Sequence, residues 1–130
     1  MVLDQKLLLT VWLLYLVGSL IHFIHNAEFL NDYPNLPNSW ARNDVYLAWM
    51  GMTLLGTAGL IVTIRGARLI GLICLTIYAL LGMDSLGHYV LAPFGAHSVA
   101  MNITILLEVS TAALLLAVAG WQLYRYFRFR

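Results

Sequence analysis

The sequence is short of charge. Only 10% of its 130 residues are Asp, Glu, Lys or Arg, against 62% hydrophobic, and the mean hydropathy is +0.82. A water-soluble domain carries about 25% charged residues, so this chain has too little polar material to cover a water-facing surface. The same shortage excludes a disordered chain and a coiled coil. Cysteine is confined to Cys74, inside an apolar run, which excludes a disulfide scaffold. A net charge of +1 and an isoelectric point near 7.9 give no basis for a nucleic-acid partner. Named metal and redox motifs are lacking too: there is no H-E-x-x-H, no C-x-x-C and no repeated E-x-x-H. What these absences leave is an integral membrane protein.

Four apolar segments are present, over residues 7–25, 44–64, 69–90 and 97–123. Each approaches or exceeds the roughly 20 residues that a helix needs to cross about 30 Å of hydrocarbon. The expected fold is an all-α bundle of four transmembrane helices, a single membrane domain over residues 1–130. A cleaved leader is the rival reading of the first segment. It is disfavoured because Asp4 offsets Lys6 at the start and no A-x-A site follows the apolar run.

The basic residues suggest an orientation. Lys6, Arg65, Arg68, Arg125, Arg128 and Arg130 fall on one side of a four-span bundle, and only Arg42 on the other. The positive-inside rule then predicts cytoplasmic termini, in keeping with a bacterial inner-membrane protein. A short turn joins the second and third segments. The longer outer connection, residues 26–43, mixes turn formers such as Asn31, Pro34 and Asn38 with Phe29, Tyr33, Leu36 and Trp40. It is expected to fold over the bundle mouth or lie at the headgroups, and Ser39 is a candidate cap for the second helix. Small residues, Gly51, Gly56 and Gly59, then Gly71, Ala79 and Gly82, then Ala112, Ala113, Ala117 and Gly120, read as close helix interfaces.

Ionisable side chains inside the bilayer are costly and mark function. His22, His25 and Glu28 lie at the outer end of the first segment, and Asp44 opens the second. Asp84 and His88 sit in the last turns of the third, and His97 opens the fourth. All four histidines therefore converge on one face of the membrane. In HFIHNAE the spacing of three puts successive pairs on one helix face, and Asp84 and His88 are one turn apart. Glu108 lies ~16 Å below His97 at 1.5 Å per residue. A carboxyl at that depth calls for a hydrogen-bond partner such as Thr76, Tyr78 or Ser110.

Imidazoles with carboxylates suit a divalent transition metal, Zn or Fe foremost, with His22, His25, Asp84, His88 and His97 as ligands. Glu28, Asp44 and Glu108 are the candidate acid–base groups. The leading expectation is a metalloprotein with a periplasm-facing site, acting on a lipid, isoprenoid or other amphiphile from the surrounding membrane. There are three other readings. A b-type haem would take two axial histidines, with Gly18, Gly82 and Gly87 leaving room for the macrocycle. A metal-free lipid or sterol-type isomerase would use Asp84, His22 and Glu108 to move protons. A non-catalytic subunit of a membrane complex, or a homo-oligomer, would need none of this chemistry.

Overall fold

A computed structural model describes residues 3–129; Arg130 lies outside them. Helix α1 spans Leu3–Glu28, α2 Arg42–Ile64, α3 Arg68–Met83, α4 Gly87–Leu91 and α5 Val99–Arg128. Single 3-10 turns at Leu30–Asp32, Asp84–Leu86 and Phe94–Ala96 sit between them, and there is no strand among the described residues. Four stretches are long and apolar enough to cross a membrane: Asp4–Glu28, Arg42–Ile64, Arg68–Leu91 and Val99–Arg128. Large apolar side chains such as Leu54, Ile70, Val90 and Ile103 face outward, as lipid-facing positions do, while His22, Glu108 and Gln122 are buried.

The helix ends follow from local chemistry. Ser98 caps α5, its Oγ accepting the Met101 N–H at 3.2 Å. At α2 the expected cap Ser39 is not used. The helix starts after Ala41, whose N–H donates to Asp44 Oδ2 at 3.1 Å, half of a capping box. The turn from α2 to α3 needs a positive φ at Gly66, +105°, which Gly reaches without a Cβ penalty.

Helices α1 and α3 each pack against both α2 and α5. Leu8, Tyr15, Leu72, Leu75, Ile105 and Leu115 are fully buried. Contact between α2 and α3 depends on glycine. A Cβ at Gly71 would stand 2.5 Å from the Thr63 nitrogen and 2.6 Å from the Gly59 oxygen, and one at Gly56 would enter the Tyr78 ring. Not every small residue serves this way. Gly51 and Gly120 have nothing within 4 Å of a built Cβ, and Ala113 and Ala117 are exposed, so these four do not form the expected interfaces.

The third span is not a continuous α-helix. Three residues at the 120° step of a 3-10 turn, in place of 100°, add ~60° of rotation. Asp84 is exposed while His88 is buried, although both line one cleft.

Candidate functional site

The site occupies the end of the bundle that carries the 29–41 loop. His22 projects from α1 into the interior and is 2% exposed. Its Nδ1 is 3.3 Å from Thr104 Oγ1 on α5. The Thr104 hydroxyl already donates to the Met101 carbonyl at 3.1 Å, so it accepts from His22, and Nδ1 carries the proton. That leaves Nε2 facing Glu108, 3.6 Å from its Oε2. Glu108 is fully buried and also receives a hydrogen bond from the Ser85 hydroxyl. Its partner is therefore Ser85, not Thr76, Tyr78 or Ser110. The 3-10 turn beginning at Asp84 is the element that carries Ser85.

Two more imidazoles continue the cluster. The His22 and His88 rings are 5.4 Å apart, and His88 and His97 6.2 Å apart, both edge to face. Asn26 Nδ2 donates to His88 Nε2 at 3.1 Å, and His97 Nδ1 donates to the Pro93 carbonyl at 3.1 Å. His97 lies just before α5, not within it. Asn102 holds its loop, donating to the Phe94 and His97 carbonyls at 3.2 and 3.4 Å and accepting from the Tyr89 hydroxyl at 2.9 Å. Asn26 Oδ1, His88 Nδ1, His97 Nε2 and Glu108 Oε1 are buried without a hydrogen-bond partner among the described residues.

The loop adds a residue that sequence reasoning did not place in the site. Tyr33 is 4% exposed, and its ring lies 4.9 Å from His88 and 6.3 Å from His22. Its hydroxyl is 2.9 Å from His25 Nδ1. Burial pushes the phenol up to about 12. The loop is tied down again where Asn35 Nδ2 donates to the Leu91 carbonyl at 2.8 Å. Through Tyr33 and Asn35 the loop packs against the histidine cluster and the end of the third span.

Of the expected site residues, His22, His88, His97 and Glu108 come together. His25 turns to Tyr33. Glu28 pairs at the surface with Arg42, at 2.8 and 2.6 Å, and with Tyr46 at 2.6 Å. Asp44 serves as a helix cap and lines a cleft, as Asp84 does. Asn26 was legible, one turn beyond His22 on the same face. Ser85 was not, because only the 3-10 turn brings it to Glu108.

That cleft, about 970 Å³, lies between α1, α2 and the loop end of the third span. Its walls are largely apolar, with Phe23, Val45, Met52, Leu55 and Leu81. His22, Asn26, Ser85 and His88 form a polar side. Pockets of this kind, apolar with a few convergent polar groups, are the usual form of a small-molecule site.

The residues fit a metal less well. Of the three clustered imidazoles, His88 Nδ1 and His97 Nε2 are unengaged, whereas His22 is held between Thr104 and Glu108. No group of three or more His, Cys, Asp or Glu among the described residues is placed to hold an ion. For haem, the space beside Gly18 and Gly82 is filled by Thr111 and Tyr15, while Gly87 is open. No protein family, curated protein or solved structure matches the chain.

Proposed function

We propose that the protein is a membrane-embedded acid–base site that moves a proton on an amphiphilic molecule held in the cleft, an isomerase-type reaction without a resident metal. The observation that carries this reading is the buried set Thr104–His22–Glu108–Ser85 directly behind the polar wall of the cleft. His22 and Ser85 line the cleft and both reach Glu108, which does not. In this reading Glu108 is the proton store, and His22 or Ser85 carries the proton to and from the ligand. One proton enters the ligand at one atom and another leaves at a second, so the product is an isomer and no oxidant or reductant is consumed. Thr104 fixes the His22 tautomer so that the lone pair faces the carboxyl.

The position of the cleft supports a membrane-derived ligand, because its walls continue the lipid-facing surface through Leu81, Val90 and Leu91. Arg65, Arg68 and Arg125 sit at the opposite end, with the termini. This favours cytoplasmic termini and a cleft facing the outer leaflet.

The test is isotopic. Purified protein in nanodiscs is incubated in D2O with a total lipid extract, and lipids are screened by mass spectrometry for deuterium at carbon. The wild type is expected to label one lipid class, and His22→Gln to abolish the labelling. A folded wild type that labels nothing overturns the reading. A metal bound at His97 is the second reading, favoured by its unengaged Nε2, which keeps the lone pair because Nδ1 donates to the Pro93 carbonyl. Near-stoichiometric Zn or Fe in tag-free protein, lost in His97→Ala, would establish it.

A further inference from the structure

The cleft carries two carboxylates and no lysine or arginine among its lining residues. Asp84 lines it and is exposed there, and no hydrogen bond or ion pair reaches its carboxylate among the described residues. Asp44 adds a second carboxylate from α2, one oxygen of which accepts the Ala41 N–H. No Lys or Arg lines the cleft. Arg42 is engaged by Glu28 at the surface. Two deeply buried groups on the same wall are also incomplete: Asn26 Oδ1 and His88 Nδ1 lack partners, in residues 6% and 9% exposed.

A carboxylate at membrane depth is expensive unless a cation or several donors accompany it. A neutral ligand head would leave Asp84 uncompensated, and an anionic one would meet two like charges. We infer that the cleft takes a cationic amphiphile, one with a protonated amine or quaternary ammonium head, and that Asp84 is its counter-charge. This rests on the acid–base reading of the same cleft and names its ligand class. Trp40 and Phe23 in the lining supply aromatic faces of the kind that attract ammonium groups. The apolar tail has a path along α2 from Val45 to Leu55, ~15 Å at 1.5 Å per residue.

The experiment compares dodecyltrimethylammonium, dodecanol and dodecyl sulfate. Saturable binding to the full chain in zwitterionic nanodiscs is measured by calorimetry and tryptophan fluorescence, with empty nanodiscs subtracted. The ammonium probe is expected to bind at least tenfold more tightly than dodecanol. Asp84→Asn should remove that preference and leave dodecanol affinity unchanged. Equal affinities, a preference that survives Asp84→Asn, or no saturable binding of any probe overturns the proposal. Should Asp84→Asn fail to fold, the wild-type comparison and Asp84→Glu, expected to keep the preference, decide the matter. The two readings fail separately. Ammonium preference without deuterium labelling sinks only the acid–base reading, and labelling without the preference sinks only the cationic ligand.

Discussion

The two ends of the bundle solve the packing of α2 against α3 in opposite ways. Near the termini, Gly59, Thr63 and Gly71 bring the helix backbones into direct contact, and Thr63 donates back to the Gly59 carbonyl at 2.8 Å. Near the 29–41 loop the same helices border a cleft, and Gly51 faces open space. Unpaired polar atoms do not follow this division: Asn26, His88, His97 and Glu108 near the loop each keep one, and so do Trp12, Tyr15, Thr53 and Tyr78 in the rest of the bundle. In lipid, apolar burial gives no drive for helix association, so close backbone contact must hold the bundle. One end provides that contact, which leaves the other free to hold a cavity.

The largest expected effect falls on the loop end. Glu108→Gln should lower deuterium labelling by at least about 100-fold, the usual lower bound for a general acid–base contribution. It should leave the helical circular-dichroism signal in place. A variant with unchanged labelling would remove Glu108 from the relay.

The packed end should answer in stability. Gly71→Ala forces a Cβ against the Thr63 and Gly59 backbone, and overpacking of this kind costs about 1–3 kcal/mol. Unfolding in mixed micelles would read this directly, and an unchanged transition would show that the close contact is dispensable.

Tyr33→Phe should have a smaller effect, of about 1 kcal/mol, for the lost hydrogen bond to His25. It also carries a pH signature. The Tyr33 phenol is raised from 10.0 to about 12 in the folded state. Its contribution is therefore fully present below pH 10 and lost as pH rises through about 12, because the unfolded chain ionises first. The phenylalanine variant should lose less stability than the wild type over that window. Equal losses in the two proteins would mean that Tyr33 is not buried as described.

The smallest effect sharpens the contrast. Gly51→Ala meets no neighbour within 4 Å, so its stability should stay within about 0.5 kcal/mol of the wild type, as open surface positions do. A loss as large as that of Gly71→Ala would show that the two ends are packed alike.

Much of the fold was legible because lipid imposes strict rules. Backbone groups in hydrocarbon must be paired within a helix, so four apolar runs read directly as four spans. Their ends were less exact. Helix α1 extends through Glu28, and the second span begins at Arg42, because charged and polar residues are tolerated where a helix emerges. The break at Asp84–Leu86 left no mark in the sequence. A 3-10 turn differs from an α turn by ~20° per residue, and the flanking Gly82 and Gly87 are equally at home in packed helices.

The convergence of histidines on one end was legible for a simple reason. Alternate spans reverse direction, so residues near odd helix ends and even helix starts share one face of the membrane. Which imidazoles meet is a different matter. His22 and His25 are alike in sequence, yet one reaches Glu108 and the other Tyr33. Rotation of each helix about its axis is set by neighbouring surfaces, not by the helix's own residues.

Hydropathy and span length are properties of the chain alone, and they were enough to give the medium, the number of spans and the end of the bundle where ionisable groups gather. That Tyr33 folds inward, that Ser85 rather than a deeper residue meets Glu108, and that Asp84 faces a cleft came from the packing of the helices. Each depends on contacts between segments far apart in the chain, where a shift of one helix turn changes the partner while leaving every local preference satisfied.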